Sequence, residues 1–427
     1  VISIINPEQL STRRQTEKGT ARQEKIVKEI LAEVKKGGDS ALIRYTQTFD
    51  GANLQELQVS AEEFDEAYQQ VPQSLIDALR QAAQRIRCYH ERQKSQSWMV
   101  TETEGTVLGQ LIRPLTRVGI YVPGGRAAYP SSVLMNAIPA VVAGVEEIVM
   151  VTPPGPDNRI YASTLVAARE AGVHQVFKVG GAQAVGALAY GTESIPKVDK
   201  VVGPGNIYVA MAKRLVYGQV DIDMVAGPSE IVVVADESAN PVYVAADLLS
   251  QAEHDSMASA VLLTPSPALA EAVAMELKKQ CDRLLRKEIA TESIQNYGAI
   301  CLTGDLEEAV ETANRLAPEH LELMVKDPWK WMGRVKNAGA LFLGPDSPEP
   351  VGDYVAGPNH VLPTNGTARF FSPLGVDDFI KKTSLIAYSH EALCRDAESI
   401  ITLAEAEGLT AHAESIRVRF KKGEENE

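Results

Sequence analysis

Val118-Gly-Ile-Tyr-Val-Pro-Gly-Gly125 is an apolar run that ends in a glycine turn, and the texture of the chain changes there. Beyond it, short Val/Ile-rich runs alternate with helical stretches of about ten residues. Glu147–Thr152, Gln175–Val179 and the run from Lys200 read as strands. Val133–Ala143, Ala162–Ala171, Ala182–Tyr190 and Ile207–Val216 read as helices. A second alternation follows, with strands at Glu230–Ala235, Ala260–Thr264, Leu321–Val325 and Ala340–Leu343. Its helices are Pro241–Ser250 and Leu269–Arg286. Near-continuous Val and Ile suits strands buried on both faces, and the alternation predicts βαβ units in a mostly parallel sheet. The fold class is α/β.

The flanks differ. The first 110 residues are helical in tone, with helices expected at Gln23–Lys35 and Leu75–Trp98, and Ser60-Ala-Glu-Glu63 has the form of a capping box. At the other end Asp377–Ser389 and Glu391–Glu407 read as helices, followed by a final segment, Ala411–Phe420. This tail is too short for an independent domain and needs to pack on the body or on another subunit. Disorder is expected for the closing Lys421–Glu427.

The chain has 427 residues, enough for two or three domains, and a net charge of −14. It has no basic patch, which argues against nucleic acid as a main partner. Cys88, Cys281, Cys301 and Cys394 are far apart, so neither a disulfide scaffold nor a cysteine–zinc site is indicated. No secretory signal opens the chain and no apolar run approaches the roughly 18 residues of a membrane span. The expectation is a cytoplasmic enzyme, with a cytoplasmic binding protein as the alternative.

Classical GxGxxG and Walker sequences are absent. Three other glycine turns stand at strand ends: Tyr121-Val-Pro-Gly-Gly125, Gly180-Gly-Ala-Gln183-Ala-Val-Gly186 and Gly203-Pro-Gly-Asn206. Ligands of open α/β sheets lie beyond the carboxyl ends of the strands, where glycine permits close backbone approach. Each turn alone can be structural. Three at equivalent ends point to a cofactor or substrate crevice, with Tyr121, Gln183 and Asn206 the polar or aromatic groups nearest.

Four of the seven histidines sit in polar clusters of the C-terminal half: His254, His320, His360 and His412. Gln251 and His254 are three apart at a helix end and share a face, so both can reach one metal. Asp353 and His412 add an oxygen and a second imidazole, and the set suits Zn²⁺, with Mn²⁺ or Co²⁺ as substitutes. A helix-end cap is the alternative reading of His254, with the metal reading favoured over it. Glu319-His320 precedes an apolar strand; imidazole takes protons near neutral pH and carboxylate activates water. A buried histidine paired with its neighbour is the plainer reading. His360 lies in the rigid, polar loop Gly357-Pro-Asn-His360-Val-Leu-Pro363. His90 reads as a surface or packing residue, His174 and His390 as structural.

Together these residues resemble the histidinol dehydrogenase family. The matching segments include Gly181-Ala-Gln-Ala-Val-Gly186, Gly203-Pro-Gly-Asn206, Ala226-Gly-Pro-Ser-Glu230, Ser250-Gln-Ala-Glu-His254, Ala317-Pro-Glu-His-Leu-Glu322, Gly352-Asp-Tyr354, Gly357-Pro-Asn-His360 and Glu405-Ala-Glu-Gly-Leu-Thr-Ala-His412, in the family's order. The resemblance implies oxidation of L-histidinol through L-histidinaldehyde to L-histidine, with two NAD⁺ and one water, the last steps of histidine biosynthesis. It implies one Zn²⁺ per subunit held by Gln251, His254, Asp353 and His412. Substrate contacts would be Ser229, His320, His360 and Glu407 together with the metal ligands. NAD⁺ contacts would be Tyr121, Gln183 and Asn206, and the catalytic pair Glu319 and His320. The implied fold is two incomplete Rossmann-like domains plus small terminal segments in a domain-swapped homodimer. The expected division is residues 1–15 as an N-terminal segment, 16–119 with 231–371 as the first domain, 120–230 as the NAD-contacting domain, and 372–427 as a tail crossing to the partner. A zinc hydrolase using Glu319 as base and a non-catalytic binding protein are the competing readings.

Overall fold

The structure, a computed structural model, describes residues 2–10, 21–102, 105–124 and 128–420. Gly125 of the first glycine turn, most of the expected N-terminal segment, and residues 421–427 lie outside the described residues. The chain divides into two units, residues 1–94 with 114–379 and residues 95–113 with 380–427.

In the first unit the chain runs β1 (Ser3–Ile5), α1 (Ala21–Asp50), α2 (Ala61–Gln70) and α3 (Gln73–Glu91). After β2 (Trp98–Thr101) and β3 (Val107–Pro114), which belong largely to the second unit, it continues β4 (Arg117–Tyr121), α4 (Pro130–Ala143), β5 (Glu147–Thr152), α5 (Ala162–Ala171), β6 (Gln175–Lys178), α6 (Gly181–Tyr190), β7 (Lys200–Val202), α7 (Ile207–Val216) and β8 (Asp221–Ile222). The second alternation is β9 (Glu230–Ala235), α8 (Pro241–Ala252), β10 (Ser259–Thr264), α9 (Pro267–Cys281), α10 (Lys287–Tyr297), β11 (Ala299–Leu302), α11 (Leu306–Leu316), β12 (His320–Met324), α12 (Pro328–Met332), β13 (Ala340–Leu343) and α13 (Glu349–Tyr354).

Two sheets result, ordered β6-β5-β4-β7-β8 and β1-β11-β10-β9-β12-β13. Every strand pair in both is parallel. The strands are apolar on both faces because helices cover both: Val118, Ile120 and Met150 face one core, and Val149, Val151 and Val201 the other. Each sheet reverses its winding once, between β4 and β7 and between β9 and β12. The residues of α1–α3, grouped in the sequence reading with 231–371, pack on α4–α7 around the five-stranded sheet. The capping box is present: Ser60 Oγ accepts from Glu63 N–H at 3.3 Å and Glu63 Oε2 from Ser60 N–H at 3.0 Å.

The second unit carries a three-stranded sheet ordered β14-β3-β2, where β14 is Ile380–Ala387, and a helical pair, α14 (His390–Ala406) and α15 (Thr410–Arg417). Two expectations change here. The helix drawn through Trp98 ends at Glu91, and Trp98 opens a strand paired antiparallel to β3. Asp377–Ser389 is not a helix but a short 3₁₀ turn followed by β14. The β-branched and long side chains of these segments fit a pleated ribbon, and much of it is exposed, so no buried stripe marks its period. No helix among the described residues is long and apolar enough to cross a membrane.

Candidate active site and metal centre

A cleft of about 720 Å³ opens between the carboxyl ends of the five-stranded sheet and the amino ends of β9 and β12. On the first side it is lined by Pro123 and by Gly203–Asn206, the turns flanking the reversal between β4 and β7. On the second side it is lined by Ser229, Gln251, His254, Glu319, His320, Asp353 and His360. Residues far apart in sequence thus meet at one mouth.

The turn after β7 is built tightly. Gly203 has φ +108°, and a Cβ there would strike the Tyr121 carbonyl oxygen. Asp223 Oδ2 accepts from Gly203 N–H at 2.8 Å, and Lys213 Nζ donates to Gly203 O at 2.9 Å. Lys213 and Asp223 are themselves ion-paired and almost fully buried. Asn206 caps α7, its Oδ1 accepting from the N–H groups of Tyr208 and Val209 at 3.0 and 3.2 Å. Tyr121 and Gln183 are placed differently. Both are buried and neither lines the cleft. Tyr121 Oη accepts from Gly181 N–H at 3.2 Å, while Gln183 Oε1 has no hydrogen-bond partner. Burial pushes the Tyr121 hydroxyl up to about 12.

Glu319 and His320 are held by one residue of the neighbouring strand. His320 opposes Ile231 in the parallel register, so the start of β9 lies beside the pair. Glu230 N–H donates to Glu319 Oε2 at 2.9 Å, and His320 Nδ1 lies 3.1 Å from Glu230 O. A carbonyl oxygen only accepts, so Nδ1 carries the proton and Nε2 is the bare acceptor. Nε2 is buried without a hydrogen-bond partner and stands 4.0 Å from Asp353 Oδ1. Burial lowers His320 to about 3, with the nearby His254 and His360 adding to it against the Glu230 carbonyl. Burial raises Glu319 well above the usual carboxylate range. The segment reaches this position through Ala317, a left-handed residue with φ +50° that ends α11 before Pro318.

Gln251 and His254 come from the end of α8. This helix buries Val244, Leu248 and Leu249 in the core. Gln251 is 0% exposed, yet neither its Oε1 nor its Nε2 has a partner. His254 is exposed at the helix end, its backbone N–H bonded to Gln251 O at 3.2 Å. Glu253, not His254, is the C-cap of α8, so His254 lies just past the helix end with its imidazole beside Glu349 and Asp353. Asp353 lies on α13. Gly352 lets this helix lie close to β13, since a Cβ would meet the Phe342 ring at 2.8 Å. That ring also lies 6.0 Å from the His320 ring. His254, Asp353 and a third group, Glu349, place ligand atoms within 4.8 Å of one another. With a buried amide lacking any partner beside them, these donors fit a divalent cation of nitrogen and oxygen preference.

His360 is half-buried and lines the cleft; burial lowers it to about 4. Its loop is anchored by Asn359, whose Nδ2 donates to Met135 O at 2.7 Å. Ser229 also lines the cleft. Glu407 and His412 belong to the second unit, at the end of α14 and on α15, and both are exposed. His90 is fully buried, its Nδ1 2.7 Å from Gln93 Oε1, a packing residue and not a surface one. His174 Nδ1 accepts from Ile148 N–H at 3.1 Å and is structural.

A family model described as histidinol dehydrogenase matches residues 12–420. The chain belongs to the histidinol dehydrogenase family. It is similar to the histidinol dehydrogenase of Halalkalibacterium halodurans, 58% identical over 420 residues that cover 98% of this chain and 99% of the relative. The histidinol dehydrogenase of Bacillus subtilis is 56% identical over 420 residues, covering 98% of each. The crystal structure of histidinol dehydrogenase from Elizabethkingia anophelis matches with a TM-score of 0.94 at 39% identity, covering 98% of both chains.

Within this histidinol dehydrogenase fold the sequence reading missed three carboxyl groups around the donors: Asp247, Glu322 and Glu349. Each is at most 8% exposed. The signals were present. Glu322 is a lone acid in the apolar run Leu321–Val325, Asp247 stands one turn before Gln251, and Glu349 one turn before Asp353.

Proposed function

We propose that this chain oxidises L-histidinol through L-histidinaldehyde to L-histidine, consuming two NAD⁺ and one water. The supporting observation is the His320 imidazole, with Nδ1 tied to the Glu230 carbonyl and Nε2 bare toward the cleft. NAD⁺ supplies the hydride acceptor, for which the Gly203–Asn206 turn offers close backbone approach and Tyr121 and Gln183 stand behind. Zn²⁺ supplies a fixed positive centre for the substrate imidazole and amine, held by Gln251, His254, Asp353 and His412.

The residues divide the work. His320 Nε2 takes the hydroxyl proton as hydride leaves the substrate carbon. The aldehyde must then be hydrated, because hydride departs from the gem-diol carbon. Glu319, once deprotonated, takes a proton from that water, and His320, having passed its first proton to solvent, accepts the proton of the second oxidation. Burial holds His320 neutral at physiological pH, so its Nε2 lone pair is free to receive a proton, although the same burial makes it a weaker base than a free imidazole. Ser229 and His360 contact the substrate from the cleft walls. Glu407 pairs with the substrate ammonium. One site for both oxidations retains the reactive aldehyde.

The active assembly is a homodimer in which residues 372–427 cross over, so that Glu407 and His412 reach the partner's cleft. The four unpaired cysteines fit a reducing, cytoplasmic location. The zinc-loaded protein with L-histidinol should produce two NADH per histidine, followed by nicotinamide absorbance. Absence of NADH formation from zinc-replete, dimeric protein refutes this reading.

A further inference from the structure

Behind Gln251, His254 and Asp353 lies a row of carboxyl groups that no step above uses. Glu349 and Asp353 stand one turn apart on α13 and share a face. Asp353 lines the cleft; Glu349 does not, and it is 1% exposed. Glu349 Oε2 accepts from Ser250 Oγ at 3.1 Å, and its backbone N–H donates to Glu322 Oε1 at 2.9 Å. Asp247, beside Glu322, closes the row from α8, the helix that carries Ser250 and Gln251. Among the described residues, none of Asp247, Glu322, Glu349 and Asp353 is ion-paired with a lysine or arginine. Buried acidic groups gathered without a lysine or arginine partner must either hold protons or meet a cation. Independently, the unpartnered Gln251 amide lines the same end of the cleft.

We propose that Glu349 is a positioning residue of the metal site: it backs Asp353 from outside the cleft, directs that carboxylate toward the ion, and adds negative charge that raises affinity for a divalent cation. The inference rests on the metal reading of Gln251, His254 and Asp353. Glu349 has an oxygen within 4.8 Å of the His254 and Asp353 ligand atoms, but it lies off the cleft wall with Oε2 bonded to Ser250, so it is assigned as an outer partner and not a ligand. Ser250 and Glu322 fix it in turn, so the charge behind the ion is preorganised by α8 and β12. Loss of such an outer partner typically weakens metal binding by about 10–100-fold.

The test uses full-length protein stripped of metal and titrated with zinc against a chromogenic chelator, for the wild type, Glu349→Gln and Asp353→Asn. Zinc affinity of Glu349→Gln should fall by about 10–100-fold. Its metal-free Tm should not fall, since glutamine retains the Ser250 contact and the backbone bond to Glu322 while removing a buried acid. Unchanged zinc affinity in Glu349→Gln, with Asp353→Asn weakened, overturns the role of Glu349 and leaves the metal site intact. A lowered metal-free Tm together with lowered affinity indicates general disruption and overturns it also. Wild-type protein that binds no zinc removes the metal reading itself.

Discussion

The two walls of the cleft are built on opposite ends of parallel sheets. The five-stranded sheet presents carboxyl ends, where glycine turns and the start of α7 expose backbone. The six-stranded sheet presents amino ends, where Glu319, His320 and Glu230 gather. The first wall suits a ligand gripped through its backbone-facing groups; the second suits proton transfer. Polar atoms tell the same story. On the glycine wall Asn206, Asp223 and Lys213 have partners in the fold, so this wall is complete by itself. On the other wall Gln251 and His320 Nε2 are buried without partners, as is Glu349 Oε1 behind it. That wall is arranged for something that arrives.

The contrast predicts that substitutions on the amino-end wall remove chemistry and those on the glycine wall remove stability. The largest effect is expected for His320→Asn, a loss of about 10²–10⁴-fold in both oxidations. Glu319→Gln should lose the aldehyde-to-acid step selectively. Steady-state NADH formation from L-histidinol and from L-histidinaldehyde separates the two; full double oxidation at the normal rate in either variant breaks the assignment.

Next is Lys213→Met, which leaves Asp223 buried without its cation. A loss of about 3–5 kcal/mol in unfolding free energy is expected by urea denaturation. A change below 1 kcal/mol would mean that the glycine wall does not depend on this pair.

The carboxyl row gives a pH dependence. Burial raises Glu349 to about 8 and Glu319 and Glu322 well above their ordinary range. Unfolded carboxylates titrate near about 4.3, so above neutrality the folded metal-free protein holds more protons than the unfolded chain. Its stability therefore falls as pH rises from about 7 to about 8.5. The depressed histidines, His320 and His360, are neutral in the folded state and mostly neutral in the unfolded chain, whose imidazoles titrate at about 6.5, so they oppose this trend only slightly at the lower end of the window. Zinc should shrink the fall by neutralising the acids. Thermal unfolding with and without chelator across that window checks it, and a metal-free Tm that rises with pH contradicts the sign.

The smallest effect is Gly352→Ala. The new Cβ meets the Phe342 ring, at a cost of about 1–3 kcal/mol for overpacking. Because that ring also neighbours His320, KM and kcat should both change in steady-state assays. Wild-type kinetics would show that α13 absorbs the methyl without moving Asp353.

Much of this was legible beforehand where local pattern and fold agree. The alternating apolar runs beyond Val118 marked most strands of both parallel sheets, because strands covered on two faces must be apolar throughout, while the short strands β1, β8 and β11 went unread. Trp98–Pro114 and Ile380–Ala387 were misread, because much of that ribbon is exposed and carries no buried stripe. Glu349 escaped because its partners, Glu322 and Ser250, lie 27 and 99 positions away.

The sequence by itself determined the βα alternation, the adjacency of Glu319 and His320, and the i, i+3 pair Gln251 and His254. Local periodicity and short spacing are properties of the chain alone. Only the tertiary structure decided which imidazole nitrogen is bare, which acids are buried and which glycine turn faces the cleft. Those depend on β12 lying beside β9 and on α8 meeting α13, and strand order and helix packing are set by which apolar faces close together.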